Sequence, residues 1–487
     1  MIGAPQIGRR DALRLGAGAA ALAALPAGCA RSSDAGTTIK VLCHPGQILP
    51  ILTHHKDYLK ETAGITLRIL ESPDATSYLD AVKDQQTGGG RYDVVMYYPR
   101  YNGELAPGYL LGLDDLIAKH HAQPLFDGIV DSYRILYSEW GGRTIAAPVD
   151  GVVAMLYYRK DALENPEYQK KYRDKTGSDL RVPRTWEEFR RIAEFFTGWA
   201  WGPTGRPGYG FQTSTWDRAF IEQQWAPMMA SAGGNWFDRN LKPGWNNEAG
   251  VRALKDLRSL LAFAPPGSVS LSWNQTMENI FAEDVALVLW YMDLGRLGMS
   301  TNSWFAKSGG PEKMKRFGYA PWPGYEAEGR YRNYNSMFFG RVLGISRFTK
   351  QPDAAFQVLK TVLTPERRVL ALDDDQSGSD MCLKGDYDPA VFKKLSPPRE
   401  FLETAKAVLQ NGFPEMQLPG AGEYMDALQG QLHAYLTGSE TDPVKALAAA
   451  ADRWEAITER LGRTKQAGYW SEVLGRYRRA GLKLSEA

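Results

Sequence analysis

Apolar positions along the chain recur with two periods in alternation, the signature of strands that take turns with helices. Residues 39–43 are an apolar run that predicts a strand. After His44-Pro45-Gly46 the spacing of Ile48, Leu49, Ile51, Leu52 and Leu59 is helical, and Gly64 supplies the stop. Residues 65–70 alternate as a strand, residues 78–83 look helical, Gly88-Gly89-Gly90 interrupts, and residues 92–97 read as a buried strand. This order predicts an α/β fold whose mostly parallel sheets carry helices on their faces. Ligands of such sheets bind beyond the carboxyl ends of the strands, here the loops after Cys43 and after Met96.

Residues 144–149 and 152–158 predict two extended segments joined at Asp150-Gly151, a place for the chain to cross between domains. Thr185-Trp186-Glu187-Glu188 has the spacing of a capping box and opens a helix that carries Phe189, Ile192, Ala193 and Phe196. The charged stretch 165–182 reads as a solvated surface insertion. Residues 349–364 hold Ala355, Phe356, Leu359, Val362 and Leu363 at helical spacing, and Pro365 starts another helix. Asp442-Pro443 caps a long helix whose apolar face is read as Val444, Leu447, Ala448, Ala451, Trp454, Ile457 and Leu461. Both stripes are core positions. With no internal repeat, the pattern describes pieces of two α/β lobes interleaved along the chain.

The first residues follow a different logic. Arg9 and Arg10, then a weakly apolar Ala/Gly/Leu stretch, then Leu25-Pro26-Ala27-Gly28-Cys29 and a polar run have the layout of an export signal. The paired arginines resemble a twin-arginine signal, and the segment ending in Cys29 resembles a lipobox, with Pro26 departing from its usual residue. The expectation is a signal peptide over residues 1–28, a tether over 29–37, lipidation at Cys29, and location in the periplasm or on the outer face of the cytoplasmic membrane. The 487 residues carry 58 Lys plus Arg against 56 Asp plus Glu, a net charge of +2. Arg9, Arg10, Asp11 and Arg14 account for that excess, so the chain from Cys29 onward is neutral and offers no phosphate-binding surplus. No nucleic-acid partner is expected. Cys43 and Cys382 fit a disulfide or two buried thiols equally well.

Catalytic and metal signatures are missing. Asp373-Asp374-Asp375-Gln376-Ser377-Gly378 begins like a calcium loop, but Lys384 stands where a bidentate Glu is required. The pairs His54-His55 and His120-His121 lack ligand spacing, since helix neighbours point about 100° apart. The glycine-rich stretch 202–210 lacks the Gly-Lys-Ser/Thr of a phosphate loop, and no Gly-x-Ser-x-Gly elbow occurs. Neither cofactor nor metal is expected, and no enzyme activity.

What stands out is aromatic residues beside polar ones in predicted loops: Tyr97-Tyr98-Pro99-Arg100, Trp216-Asp217, Trp225, Trp236, Trp290-Tyr291-Met292-Asp293 and Tyr334-Asn335-Ser336. Sugars present apolar C–H faces and a rim of hydroxyls, which suit flat aromatic platforms edged with donors and acceptors. Core filling is the competing use of any one of these side chains, because Trp is usually buried for packing alone.

Several motifs, taken in order, resemble the extracellular solute-binding proteins of ABC importers, in the group that includes maltose-binding protein. Tyr92-Asp93-Val94-Val95 is similar to that family's Tyr-Asp-Val-Val strand, and Leu110 to Ile117 to its Leu-Asp-Asp-Leu loop and helix. Ala146-Ala147-Pro148 through Leu156-Tyr157-Tyr158-Arg159-Lys160-Asp161 resembles its hinge, with Arg159 in place of Asn. Pro183-Arg184-Thr185-Trp186-Glu187-Glu188-Phe189 is the most specific match; Phe281 to Leu287, with Glu283 for Gly, Tyr319 to Gly324, and Leu343 to Ser346 complete the series.

The resemblance implies two lobes joined by a multi-strand hinge with the ligand between them. Residues 38–148 and 318–372 would form the first lobe, and 149–317 and 373–487 the second. It places His44 after the first strand, Gln47 at the next helix, Tyr97 after the Asp-Val-Val strand, Asp150 at the hinge, Trp290 to Asp293 after the later strand, and Asn335 and Ser336 before the return strand, and Tyr98 adds to these from the aromatic pattern. Trp216, Asp217 and Trp225 join them as aromatic and polar candidates. Arg100 sits where many sugar binders keep an acid or amide, which leaves room for an anionic ligand. The implied protein is a monomeric, lipid-anchored binder that hands a sugar or oligosaccharide to a permease and ATPase. A polyol, sugar acid, phosphate ester or peptide ligand is the alternative, and an exported carbohydrate-active enzyme the more distant one.

Overall fold

The computed structural model describes residues 36–484 except 75, 214–217, 283, 304–305, 307–309 and 328. The export signal, most of the tether and Cys29 lie outside the described residues. Two sheets organise the rest. The strands of these two sheets, in chain order and beside three short two-stranded pairs among the described residues, are β1 (Thr37–Cys43), β2 (Ile65–Glu71), β3 (Val94–Tyr97), β4 (Ala146–Asp150), β5 (Ala154–Arg159), β6 (Tyr209–Thr213), β7 (Val285–Tyr291), β8 (Phe317–Ala320) and β9 (Arg341–Ile345).

The first sheet has the order β2-β1-β3-β9-β4. β1 runs parallel to β2, from Thr37 beside Ile65 to Cys43 beside Glu71, and parallel to β3. β9 returns antiparallel between β3 and β4, which puts Val342 beside Tyr97 and Arg341 beside Asp150. The second sheet has the order β8-β5-β7-β6, with only β6 and β7 parallel. Pairing within each sheet is therefore mixed. β8 joins the second sheet, although the sequence reading begins the return to the first lobe at residue 318.

Strand and helix chemistry follow the sequence closely where the signals are local. Gly64 takes φ +65° and ends the helix Lys56–Ala63, because a left-handed cap is open to glycine without a Cβ clash. Thr185 and Glu188 form the full capping box on the helix Trp186–Phe195. The charged stretch after Asn165 is a regular helix, Pro166–Thr176, with Asn165 as its cap and Tyr172 buried, so it is anchored by more than its solvated face. The helix Pro443–Leu461 buries Ala446, Leu447, Ala450, Ala451 and Trp454, while Val444 is exposed. Of the expected stripe, Leu447, Ala451 and Trp454 are buried and Ala448, Ile457 and Leu461 partly so; Val444 alone faces out, on the other side of the first turn from the buried Pro443. No helix among the described residues is long and apolar enough to cross a membrane.

The chain crosses from one sheet to the other between β4 and β5. Gly151 sits in that crossing, and a Cβ there would lie 2.1 Å from the Met381 carbonyl oxygen. Glycine is required by the close approach of a second backbone segment. Cys43 and Cys382 are buried free thiols.

Candidate functional site

The carboxyl ends of β1, β2, β3, β4 and β7, and the start of the antiparallel β9, all meet one cavity of about 410 Å³. Loops of the first sheet supply Gln47, Asp74, Tyr98, Asp150 and Arg341; the second supplies Tyr291 and Asp293 from the end of β7 and Trp273 from the start of the helix Trp273–Ala282. This is the placement expected for α/β sheets, where strand ends leave backbone and side chains free of the ladder.

Polar order on the first-sheet side centres on Arg341. Its Nη1 donates to Asp150 Oδ2 at 2.6 Å, its Nη2 to Asp74 Oδ2 at 3.1 Å and its Nε to His44 Nδ1 at 3.2 Å. Because Nδ1 of His44 accepts, its proton sits on Nε2, which donates to Ser77 Oγ at 2.8 Å. Burial and the neighbouring guanidinium depress the His44 pKa to about 3, so the ring is neutral. Tyr98 donates to Asp74 Oδ2 at 3.0 Å. Asp150 also accepts the Asp380 amide at 2.7 Å, which ties β4 to the segment that crosses over it.

Aromatic walls come from both sides. Trp273 lies nearly parallel to Tyr291 with ring centroids 5.8 Å apart, and Phe339 meets Phe220 edge-on at 4.9 Å. Phe339 holds φ +69°, a strained conformation for a bulky side chain, and such strain concentrates at functional sites. The strain is held in place by Arg341, whose Nη1 also donates to the Phe339 carbonyl at 3.3 Å.

Residues 53–368 match the model of the family described as bacterial extracellular solute-binding protein. The chain belongs to this family. A curated relative, a probable amino-acid ABC transporter periplasmic-binding protein from Sinorhizobium fredii, is 26% identical over 245 residues, 49% of this chain and 52% of that one. The chain thus spans about half the length of that relative. Among solved structures, maltose-bound MalE3 of T. maritima superposes with a TM-score of 0.67 at 20% identity, covering 86% of this chain and 100% of that one. A solute-binding protein from Agrobacterium radiobacter K84 in complex with ribitol gives 0.69 at 22%, covering 87% and 99%. One from Agrobacterium vitis S4 with bound D-mannitol gives 0.67 at 19%, covering 88% and 99%. At these identities the superpositions speak for the two-lobed fold.

In this solute-binding protein the cavity brings together five of the residues singled out from sequence: Gln47, Tyr98, Asp150, Tyr291 and Asp293. The others described stand behind it. His44 is fully buried and orients Arg341. Tyr97 is buried within β3, and Trp290 is buried behind Trp273, its indole donating to Asp293 Oδ1 at 3.0 Å. Ser336 holds the Tyr291 hydroxyl at 3.0 Å, and Asn335 accepts the Trp322 amide at 2.8 Å and donates to the Val408 carbonyl at 3.1 Å. Trp225 is core, donating to the Gly250 carbonyl at 3.0 Å and packed edge-on against Trp245. Trp216 and Asp217 lie outside the described residues.

Arg100 changes the picture most. It is buried between Glu415, which accepts its Nε at 2.6 Å, and Glu222, which accepts its Nη1 at 3.3 Å. Its guanidinium lies over the Tyr98 and Phe339 rings, and Arg100 itself is not part of the cavity lining. Burial lifts the Glu222 carboxyl to about 7 despite that cation. Arg100 is thus committed to an internal ion network, and the reason for expecting an anionic ligand there is gone. Arg341, Asp74, Trp273 and Asp380 also line the cavity and are not among the residues singled out from sequence. Arg341 is the first residue of the return strand β9, and that place at a strand end is the local sign it offers.

Proposed function

We propose that this chain captures a sugar or polyol in the cavity between its two sheets and delivers it to the permease of an ABC importer. The observation that carries the reading is the joint lining: aromatic residues from both sides, with the carboxylates of Asp74, Asp150, Asp293 and Asp380 and the amides of Gln47 and Asn274 among them. Aromatic platforms take the C–H faces of a carbohydrate, and carboxylates accept pairs of adjacent hydroxyls. A cavity of about 410 Å³ lies in the range of small-ligand sites. Maltose, ribitol and D-mannitol in the structural relatives support the same class of solute.

A ligand that touches both sides favours a closed arrangement by the contacts it gains there, which is the differential affinity that closure requires. In this reading the first lobe is built on the first sheet and the second lobe on the other, with the crossing at Asp150-Gly151 in the hinge. The export signal over residues 1–28 and a lipid on Cys29 would keep the protein at the outer face of the membrane. Incorporation of labelled fatty acid into the wild type and its loss in Cys29→Ala tests the anchor. The ligand is tested by a thermal-shift panel of sugars, polyols, sugar acids and peptides, where a solute at a hundred times its Kd adds about 2.7 kcal/mol. A rise in midpoint with sugars or polyols is expected. If only peptides or sugar acids raise it, the reading fails.

A further inference from the structure

Charge inside the cavity is one-sided. Asp74, Asp150, Asp293 and Asp380 line it, and among the described lining residues Arg341 is the one cation. That guanidinium is fully engaged: Asp150, Asp74, His44 and the Phe339 carbonyl take its donors. It answers for Asp74 and Asp150 and leaves Asp293 and Asp380.

The nearest cation to these two is Arg296, fully buried, whose Nη donors go to the carbonyls of Leu372 at 3.1 Å, Asp374 at 3.3 Å and Ser377 at 2.6 Å. It approaches Asp380 Oδ1 no closer than 3.8 Å, through Nε. Asp380 Oδ1 is buried and has no hydrogen-bond partner, in a residue only 2% exposed that lines the cavity. Asp293 Oδ1 is used by the Trp290 indole and the Leu294 amide. An acceptor held out of water without a donor is costly unless something supplies one. Burial is the main cause that raises both carboxyls, Asp293 to about 6, and Asp150 pushes each the same way; Arg296 opposes, helped at Asp293 by the Leu294 amide and the Trp290 indole and at Asp380 by the Asp293 amide. Trp273 and Tyr291, which line the cavity on the same side as Asp293, carry ring faces whose negative quadrupoles also attract a cation.

We propose that the site selects a polyhydroxylated solute bearing a protonated amine, with the ammonium between Asp293 and Asp380 and its hydroxyls toward Asp74, Asp150 and Gln47. The inference rests on the sugar-or-polyol reading and sharpens it. A neutral hydroxyl can donate to Asp380 but leaves the charge excess in place, and an anion meets four carboxylates with the guanidinium already occupied.

The test compares matched pairs on the full chain at pH 7.5 by calorimetric titration: D-glucosamine against D-glucose, D-galactosamine against D-galactose, and glucamine against sorbitol, extended to the amino-deoxy counterpart of whichever sugar or polyol the thermal-shift panel finds. The amine member is expected to bind at least tenfold more tightly, and that ratio to shrink severalfold in Asp293→Asn. A neutral member that binds as tightly as its amine partner overturns the inference and leaves the sugar-or-polyol reading standing. If no sugar, polyol or amine counterpart binds, that reading falls and takes the inference with it.

Discussion

His44, Arg341, Asp74 and Asp150 form one polar unit: Nε of Arg341, a donor only, fixes the imidazole tautomer through Nδ1, Nε2 then donates to Ser77, and the guanidinium holds two carboxylates. Arg341→Met strips the buried Asp150 of its cation, and an uncompensated buried charge of that kind costs about 3–5 kcal/mol. Urea unfolding should show the loss, and the double variant with Asp150→Asn should recover part of it. Protonation of His44 gives a second handle. Its pKa is about 3 in the fold against 6.5 when unfolded, so between these values the unfolded chain binds more protons and stability falls as pH falls. Over that window, stability of the wild type should depend on pH more steeply than that of His44→Asn, by up to about 1.4 kcal/mol per pH unit. The aromatic residues split by role. Trp273→Ala should lower ligand affinity about tenfold or more with a small change in the unliganded midpoint, because Trp273 lines the cavity and is half-buried. Trp225→Ala should cost about 3–5 kcal/mol of stability while the folded fraction binds normally. Sequence could not separate these two. Along β7 every residue is buried on both faces, so the usual alternation says nothing about whether Trp290 or Tyr291 meets the cavity.

At the level of elements, the local signals carried far. A Thr four positions before an apolar helix stripe, a Glu three places on, a Gly after a periodic run: each acts through backbone chemistry within one turn, and each appears in the structure. Thr185→Ala should therefore cost about 1 kcal/mol by removing an acceptor from the Glu188 amide. Pairings between distant segments were not legible in the same way. Asp74 and Arg341 are 267 positions apart, and Arg100 and Glu415 are 315 apart. A charged residue in a loop looks solvated until its partner is known, which is why Arg100 read as a ligand contact and Arg341 did not. The crossing between the sheets was visible as Asp150-Gly151, but the reason for its glycine was not, since it is the Met381 backbone that occupies the space. Gly151→Ala forces that contact apart and should destabilise the chain by roughly 1–3 kcal/mol in urea unfolding.

Across the whole molecule, two mixed sheets present strand ends to a shared cavity, and segments far apart in the chain, around residues 47, 74, 98, 150, 291 and 341, converge there. Membership of the solute-binding family follows from the match over residues 53–368, and the motifs that resemble it lie mostly in that span. The chemistry of the solute depends on side chains that meet only in the folded chain. The central claim is that this cavity holds a carbohydrate-type solute, and the most direct measurement is a calorimetric titration of the full chain, alongside Trp273→Ala, with the sugar or polyol that most raises its midpoint. Saturable binding with one site per chain, weakened about tenfold or more by the substitution, is the expected result. Binding that Trp273→Ala leaves untouched would contradict the account.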